Sequence, residues 1–142
     1  MAESLQIDAN KKQGIQNRSR ARQIIDFSGL KYGNITPTDI DGGFEKQNEV
    51  FVFFEMKYGD AEMPTGQKLF LTRLVDICDV AGKKAVLFLC HHNVWNTEKD
   101  VIAAESTVTD IYFRGKWCKA KGETLKAMTD RFMAWALPFP EI

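Results

Sequence analysis

A chain of 142 residues can bury roughly 70% of its unfolded surface in one core, so neither a disulfide framework nor a second domain is needed for folding. Nineteen Lys and Arg balance nineteen Asp and Glu, which excludes a global electrostatic pull toward nucleic acid or an anionic membrane and leaves any such attraction to local patches. The odd set Cys78, Cys90 and Cys118, together with the lack of an apolar h-region or an apolar run of about 18 residues, predicts a reduced, cytoplasmic protein that does not span a membrane.

In chain order, Lys11 to Asp26 is polar and basic, with Ile15, Ala21, Ile24 and Ile25 spaced loosely as one helical face, and it predicts a first helix stopping before Gly29. Residues 38–45 and 50–58 read as two strands of an antiparallel hairpin around the polar quartet Lys46-Gln47-Asn48-Glu49. The second strand has Val52, Phe54 and Met56 on one face and Phe51 and Phe53 on the other, so it is expected inside the sheet, where charge is costly. Past the loop Gly59–Gly66, residues Phe70, Leu71, Leu74, Val75 and Cys78 recur at helical spacing until Gly82. The unbroken apolar run Ala85–Cys90 then suits a buried strand parallel to 50–58 across a right-handed crossover. A weaker pair of strands is expected between Val101 and Trp117, and Leu125, Met128, Phe132 and Trp135 mark a last helix ending at Pro138. The expectation is a single α/β domain over residues 1–142, with a mixed sheet of about four strands flanked by helices.

Charges inside the hairpin ask for an explanation. With the turn centred near Asn48, facing residues have numbers summing to about 96, which sets Asp41 against Glu55 and Asp39 against Lys57. Side chains repeat with period two, so all four are expected on one sheet face. Three converging carboxylates repel one another unless a divalent cation neutralises them, and oxygen ligands favour Mg²⁺ or Mn²⁺. A metal on acidic oxygens beside an ammonium suits phosphodiester hydrolysis: the ion polarises a non-bridging oxygen and activates water, while Lys57 orients that water or offsets charge on the phosphorane.

Asp39-Ile40-Asp41, a turn, Phe54-Glu55-Met56-Lys57 and a helix opening at Gln67 together resemble the core of the PD-(D/E)XK nuclease superfamily, which includes restriction endonucleases, Holliday-junction resolvases and RecB-type exonucleases. The resemblance covers about residues 36–90. It implies a restriction-endonuclease-like core, Asp41 and Glu55 as metal ligands, Lys57 as the residue assisting the attacking water, Asp39 as the second choice of first ligand, and Gln67 as the glutamine RecB-like members place on the following helix. Many members add a glutamate from the first helix, where this chain offers only Gln16, Gln23 and Asp26.

Two basic windows flank this acidic segment: Lys11, Lys12, Arg18, Arg20 and Arg22, then Arg114, Lys116, Lys119 and Lys121. They are candidates for gripping phosphates, with Tyr112, Phe113 and Trp117 able to stack on splayed bases; a solvated face and core packing are the ordinary fates of such residues. His91 and His92 end the buried strand without the partners a zinc site needs, and by parity at most one faces the hairpin carboxylates. Gly42-Gly43 suits a bulge or a close backbone approach. The expected function is a Mg²⁺-dependent nuclease acting on DNA, structure-selective or weakly sequence-selective and possible as a homodimer. The alternative is a silent nuclease-like fold that binds nucleic acid or protein, with the carboxylates retained structurally; an E-x-K pattern taken alone ordinarily belongs to cross-strand ion pairing on a solvated sheet face.

Overall fold

The structure, a computed structural model, describes residues 17–137, and the chain divides into two compact units, Met1–Pro37 and Thr38–Ile142. In the first unit the described residues hold one short helix, α1 (Arg18–Ala21), capped by Asn17, and an isolated bridge between Tyr32 and Ile35. The expected helix does not reach Asp26. Ile24 and Ile25 are 92% and 75% exposed, and an apolar face with nothing packed on it gives a marginal helix no tertiary support. Lys11, Lys12, Ile15 and Gln16 lie outside the described residues.

The second unit contains β1 (Gly42–Lys46), β2 (Val50–Tyr58), α2 (Thr65–Val80), β3 (Lys84–His92), β4 (Thr107–Phe113), β5 (Lys116–Lys119) and α3 (Leu125–Ala136). Its five strands form one sheet in chain order, antiparallel except for the β2–β3 pair, which is parallel. The sheet has five strands rather than four because the segment after Val101 forms a full hairpin, closed by Arg114 and Gly115 with φ of 51° and 78°. Gln47 and Asn48, at φ 54° and 57°, close the β1–β2 turn and bring Glu49 N–H within 2.9 Å of the Lys46 carbonyl.

Each sheet face carries one helix. On one face, Leu71 and Val75 of α2 pack on Ala85, Leu87 and Tyr112, with Phe51 and Phe53 alongside. On the other, Leu125 and Ala136 of α3 pack on Val50, Val52, Val86, Phe88, Cys90 and Val108. β3 lies at the centre with Ala85–Cys90 buried, as its unbroken apolar run requires. Cys78, Cys90 and Cys118 are all free thiols. Among the described residues no helix is long and apolar enough to cross a membrane.

Candidate active site

The odd-numbered side chains of β2 face α2. Phe51 and Phe53 join the α2 core, and beyond them the same face presents Glu55 and Lys57. Glu55 is only 2% exposed, and Gln67, in the first turn of α2, is also buried. The three side chains close a triangle: Gln67 Nε2 donates to Glu55 Oε2 at 2.5 Å, Lys57 Nζ donates to Gln67 Oε1 at 3.0 Å, and Lys57 Nζ lies 3.4 Å from Glu55 Oε2. Gln67 therefore bridges acid and base, satisfying each with the opposite end of its amide.

Asp41 completes the site from outside the ladder. The expected strand 38–45 is shorter at its start, since β1 begins only at Gly42. The cause is a side chain substituting for backbone: Asp41 Oδ2 accepts from Met56 N–H at 2.7 Å, and Asp41 N–H donates to Glu55 Oε1 at 3.3 Å. Such side-chain bonds compete with ladder pairing. The hairpin register still holds as read, with Gly42 paired to Phe54 and Lys46 to Val50. A Cβ at Gly42 would run into the Phe54 ring, so glycine is required immediately after Asp41.

Asp39 departs from the expectation. Its side chain is exposed and only its carbonyl reaches the site, accepting from Gln67 Nε2 at 3.4 Å. Because residues 38–41 are not in a strand, the period-two rule that placed Asp39 beside Asp41 does not apply there. Two carboxylates converge, not three, and no group of three or more His, Cys, Asp or Glu arranged to hold a metal occurs among the described residues.

Glu55 is pushed up to about 7, first by burial and next by the negative charge of Asp41; the Asp41 N–H and the Lys57 ammonium pull the other way. A carboxylate so placed gains from a cation. The donors present are Asp41, Glu55 and the Asp39 carbonyl, all hard oxygens, and each carboxylate keeps one oxygen free or held by a single long bond. That donor set fits Mg²⁺ or Mn²⁺, which bind through one or two carboxylates and retain waters.

The basic windows scatter. Arg18, Arg20 and Arg22 are exposed in the first unit. Arg114 packs over the rings of Phe113 and Trp135, on the α3 side, while Lys119 pairs with Asp110 at 2.7 Å. Lys116 and Lys121 are exposed.

Further residues adjoin the triangle, His91 among them. Lys57 is the register partner of His91, and Glu55 of Leu89, so His91 is the strand-end histidine on the site's face. The His91 ring is fixed at both nitrogens, Nε2 3.0 Å from the Ala61 carbonyl and Nδ1 2.9 Å from Thr109 Oγ1. A carbonyl only accepts, so Nε2 carries a proton. Leu89 and His91 line a cleft of about 710 Å³, together with Lys68, Thr109, Asp110 and Trp117. The parity of His91 with Lys57 across parallel strands could have revealed its side; the contributions of Thr109 and Asp110 depend on the β4 pairing and have no local signal.

Comparison with protein-family models, with curated proteins and with solved structures returns no match.

Proposed function

We propose that this chain is a divalent-metal-dependent nuclease that hydrolyses phosphodiester bonds, DNA first among its substrates. The observation that carries the reading is a carboxylate raised to about 7 inside the fold, held 3.4 Å from an ammonium, with a second carboxylate supplying part of the shift. Groups perturbed by burial and like charge cluster at functional sites, and structural ion-pair networks are their other common setting. The mixed sheet, with β1 antiparallel and β3 parallel to the strand bearing Glu55 and Lys57, supports a restriction-endonuclease-like core.

Asp41 and Glu55 would hold the cation, which supplies Lewis-acid stabilisation of the charge that builds on phosphorus-bound oxygens. Lys57 acts from the chain itself. Its ammonium, aimed by Gln67, offsets charge on the phosphorane and holds the attacking water as a hydrogen-bond donor. The water oxygen bonds to phosphorus and gives up a proton to solvent, one bridging P–O bond breaks, and the leaving oxygen takes up a proton from solvent. Burial of Glu55 keeps competing water from its Oε2 edge.

One observation favours a second reading, a silent nuclease-like module that binds nucleic acid or protein. Asp41 Oδ2 is satisfied by Met56 N–H and Glu55 Oε2 by Gln67, as structural carboxylates would be. A panel of linear, nicked, branched and single-stranded DNA and RNA, each with Mg²⁺, Mn²⁺ or EDTA, separates the two. The nuclease reading predicts metal-dependent cleavage that Lys57→Ala lowers at least about a hundredfold without loss of fold. Cleavage of nothing returns the site to the binding module, and cleavage untouched by Lys57→Ala overturns the assignment of Lys57 and its neighbours as the active site.

A further inference from the structure

The cleft beside the triangle has a makeup unlike that of a phosphate-gripping groove. Its floor is the strand next to the one that carries Glu55 and Lys57, on the same face. Its rim is α2 one residue beyond Gln67, where Lys68 stands with its Nζ 5.2 Å from the centre of the Trp117 ring. Trp117 leans on Tyr112 at 5.2 Å between centroids and remains half-buried, so the indole is held in place with part of its surface toward the cleft.

Charge in this cleft does not favour a polyanion. Asp60, Glu62 and Asp110 line it against Lys68 and Lys119, and Lys119 is already paired with Asp110. Asp60 and Glu62 have no hydrogen bond or ion pair among the described residues. What the cleft offers is therefore a fixed aromatic surface edged by acceptor oxygens, the complement of a flat ring bearing N–H donors. Nucleobases have that character, and carboxylates accept from exocyclic amino groups. A volume of about 710 Å³ lies within the range of ligand sites and accommodates a nucleotide.

We infer that this cleft receives the base of one unpaired nucleotide next to the phosphate addressed by Lys57, so that the preferred substrate is a strand end, overhang or branch rather than continuous duplex. The inference rests on the nuclease reading of the triangle for the position of that phosphate. A base inside a duplex has both faces stacked and its donor edge paired, so it cannot present either to Trp117 and the carboxylates without leaving the helix. Lys68 is exposed on its long stem, free to leave the ring for a neighbouring phosphate when the base enters.

The test uses the full chain carrying Lys57→Ala, without divalent metal, and fluorescence anisotropy against a blunt duplex and the same duplex with a single-stranded overhang, each as DNA and as RNA. The overhang should bind about tenfold tighter in at least one of the two chemistries, the scale of one base–aromatic stack. An abasic residue at a single overhang position near the junction should erase that gain, while abasic residues further out leave it. Trp117→Leu should remove the sensitivity to that one position. Since Trp117 also packs on Tyr112, the abasic scan with tryptophan intact decides the matter even if Trp117→Leu does not fold. Equal binding of blunt and overhang probes, or indifference to every abasic position, overturns the inference. A chain that shows the abasic effect yet cleaves nothing with Mg²⁺ or Mn²⁺ keeps the cleft and loses the nuclease; one that cleaves blunt duplex and overhang alike keeps the nuclease and loses the cleft.

Discussion

The two faces of the sheet are made by the same strands but used differently. Toward α3, β2 supplies Val50, Val52, Phe54 and Met56 in unbroken succession, and the helix covers them with Met128 and Phe132. Toward α2, β2 begins in the same way with Phe51 and Phe53 but ends in Glu55 and Lys57, and α2 answers with Gln67 before its apolar stripe starts at Leu71. Alternation along one strand thus lets an apolar layer carry stability while the opposite layer accommodates a buried carboxyl beside a partly buried ammonium.

The largest effect should come from the apolar face. Phe88 is 1% exposed and meets Phe132 edge to face with centroids 6.4 Å apart. Phe88→Ala is expected to cost about 3–5 kcal/mol in denaturant unfolding through transfer and cavity terms. A cost near that of an exposed residue would mean that the α3 layer is not the main source of stability.

A smaller effect, dependent on pH, belongs to the other face. Glu55 sits at about 7 in the folded protein against an ordinary 4.5, so between these values the folded state holds a proton that the unfolded chain has released. Stability from this group is therefore greatest below pH about 4.5 and falls as pH rises through about 7, by up to about 3 kcal/mol. Glu55→Gln should abolish that decline and leave the apo protein more stable at alkaline pH. Chemical unfolding at a series of pH values measures both, and an unchanged slope in the variant would assign the pH dependence elsewhere.

Gln67→Leu should cost on the order of 1–3 kcal/mol, because it leaves Glu55 Oε2 and Lys57 Nζ without their bridging amide in a buried place. Its signature is a simultaneous fall in cleavage, since Lys57 loses the group that aims it, whereas Phe88→Ala should lower stability and leave the active geometry of the folded fraction intact. Unfolding curves and cleavage rates taken on the same samples separate the two.

Much of this contrast could be read from the chain. The β1–β2 register followed from the polar turn alone, and with it the opposition of Asp41 and Glu55; the α2 and α3 stripes and the buried β3 run are explicit periodicities. Gln67 was reachable only through a resemblance, although its position in the first turn of the helix after the Lys57 strand is what brings it to the pair. What was not legible depends on competition between groups. Strand pairing was expected through Asp39 and Asp41, yet Asp41 takes the Met56 N–H with its own carboxylate and ends the ladder. The helix from Lys11 was expected to reach Asp26, yet nothing covers Ile24 and Ile25. The cleft draws on the loop after β2, on α2, β3, β4 and β5, so no single window of sequence contains it.

The central claim is that Asp41 and Glu55 share a cation, and the melting temperature with and without Mg²⁺ or Mn²⁺, above the Glu55 value of about 7, tests it most directly. Binding to the native state alone should raise the melting temperature of the unaltered chain with the logarithm of metal concentration once that exceeds the dissociation constant. In Asp41→Asn and Glu55→Gln the apo protein should melt no lower, while the metal-induced rise disappears together with cleavage. Glu45→Gln serves as the control on the same hairpin: Glu45 is exposed and only accepts from Asn48 N–H, so its loss should shift stability by less than about 0.5 kcal/mol and preserve the metal response. If Asp41→Asn and Glu55→Gln instead lower the apo melting temperature and retain the full metal-induced rise, the two carboxylates are structural partners of Met56 and Gln67, and the nuclease reading of this face is wrong.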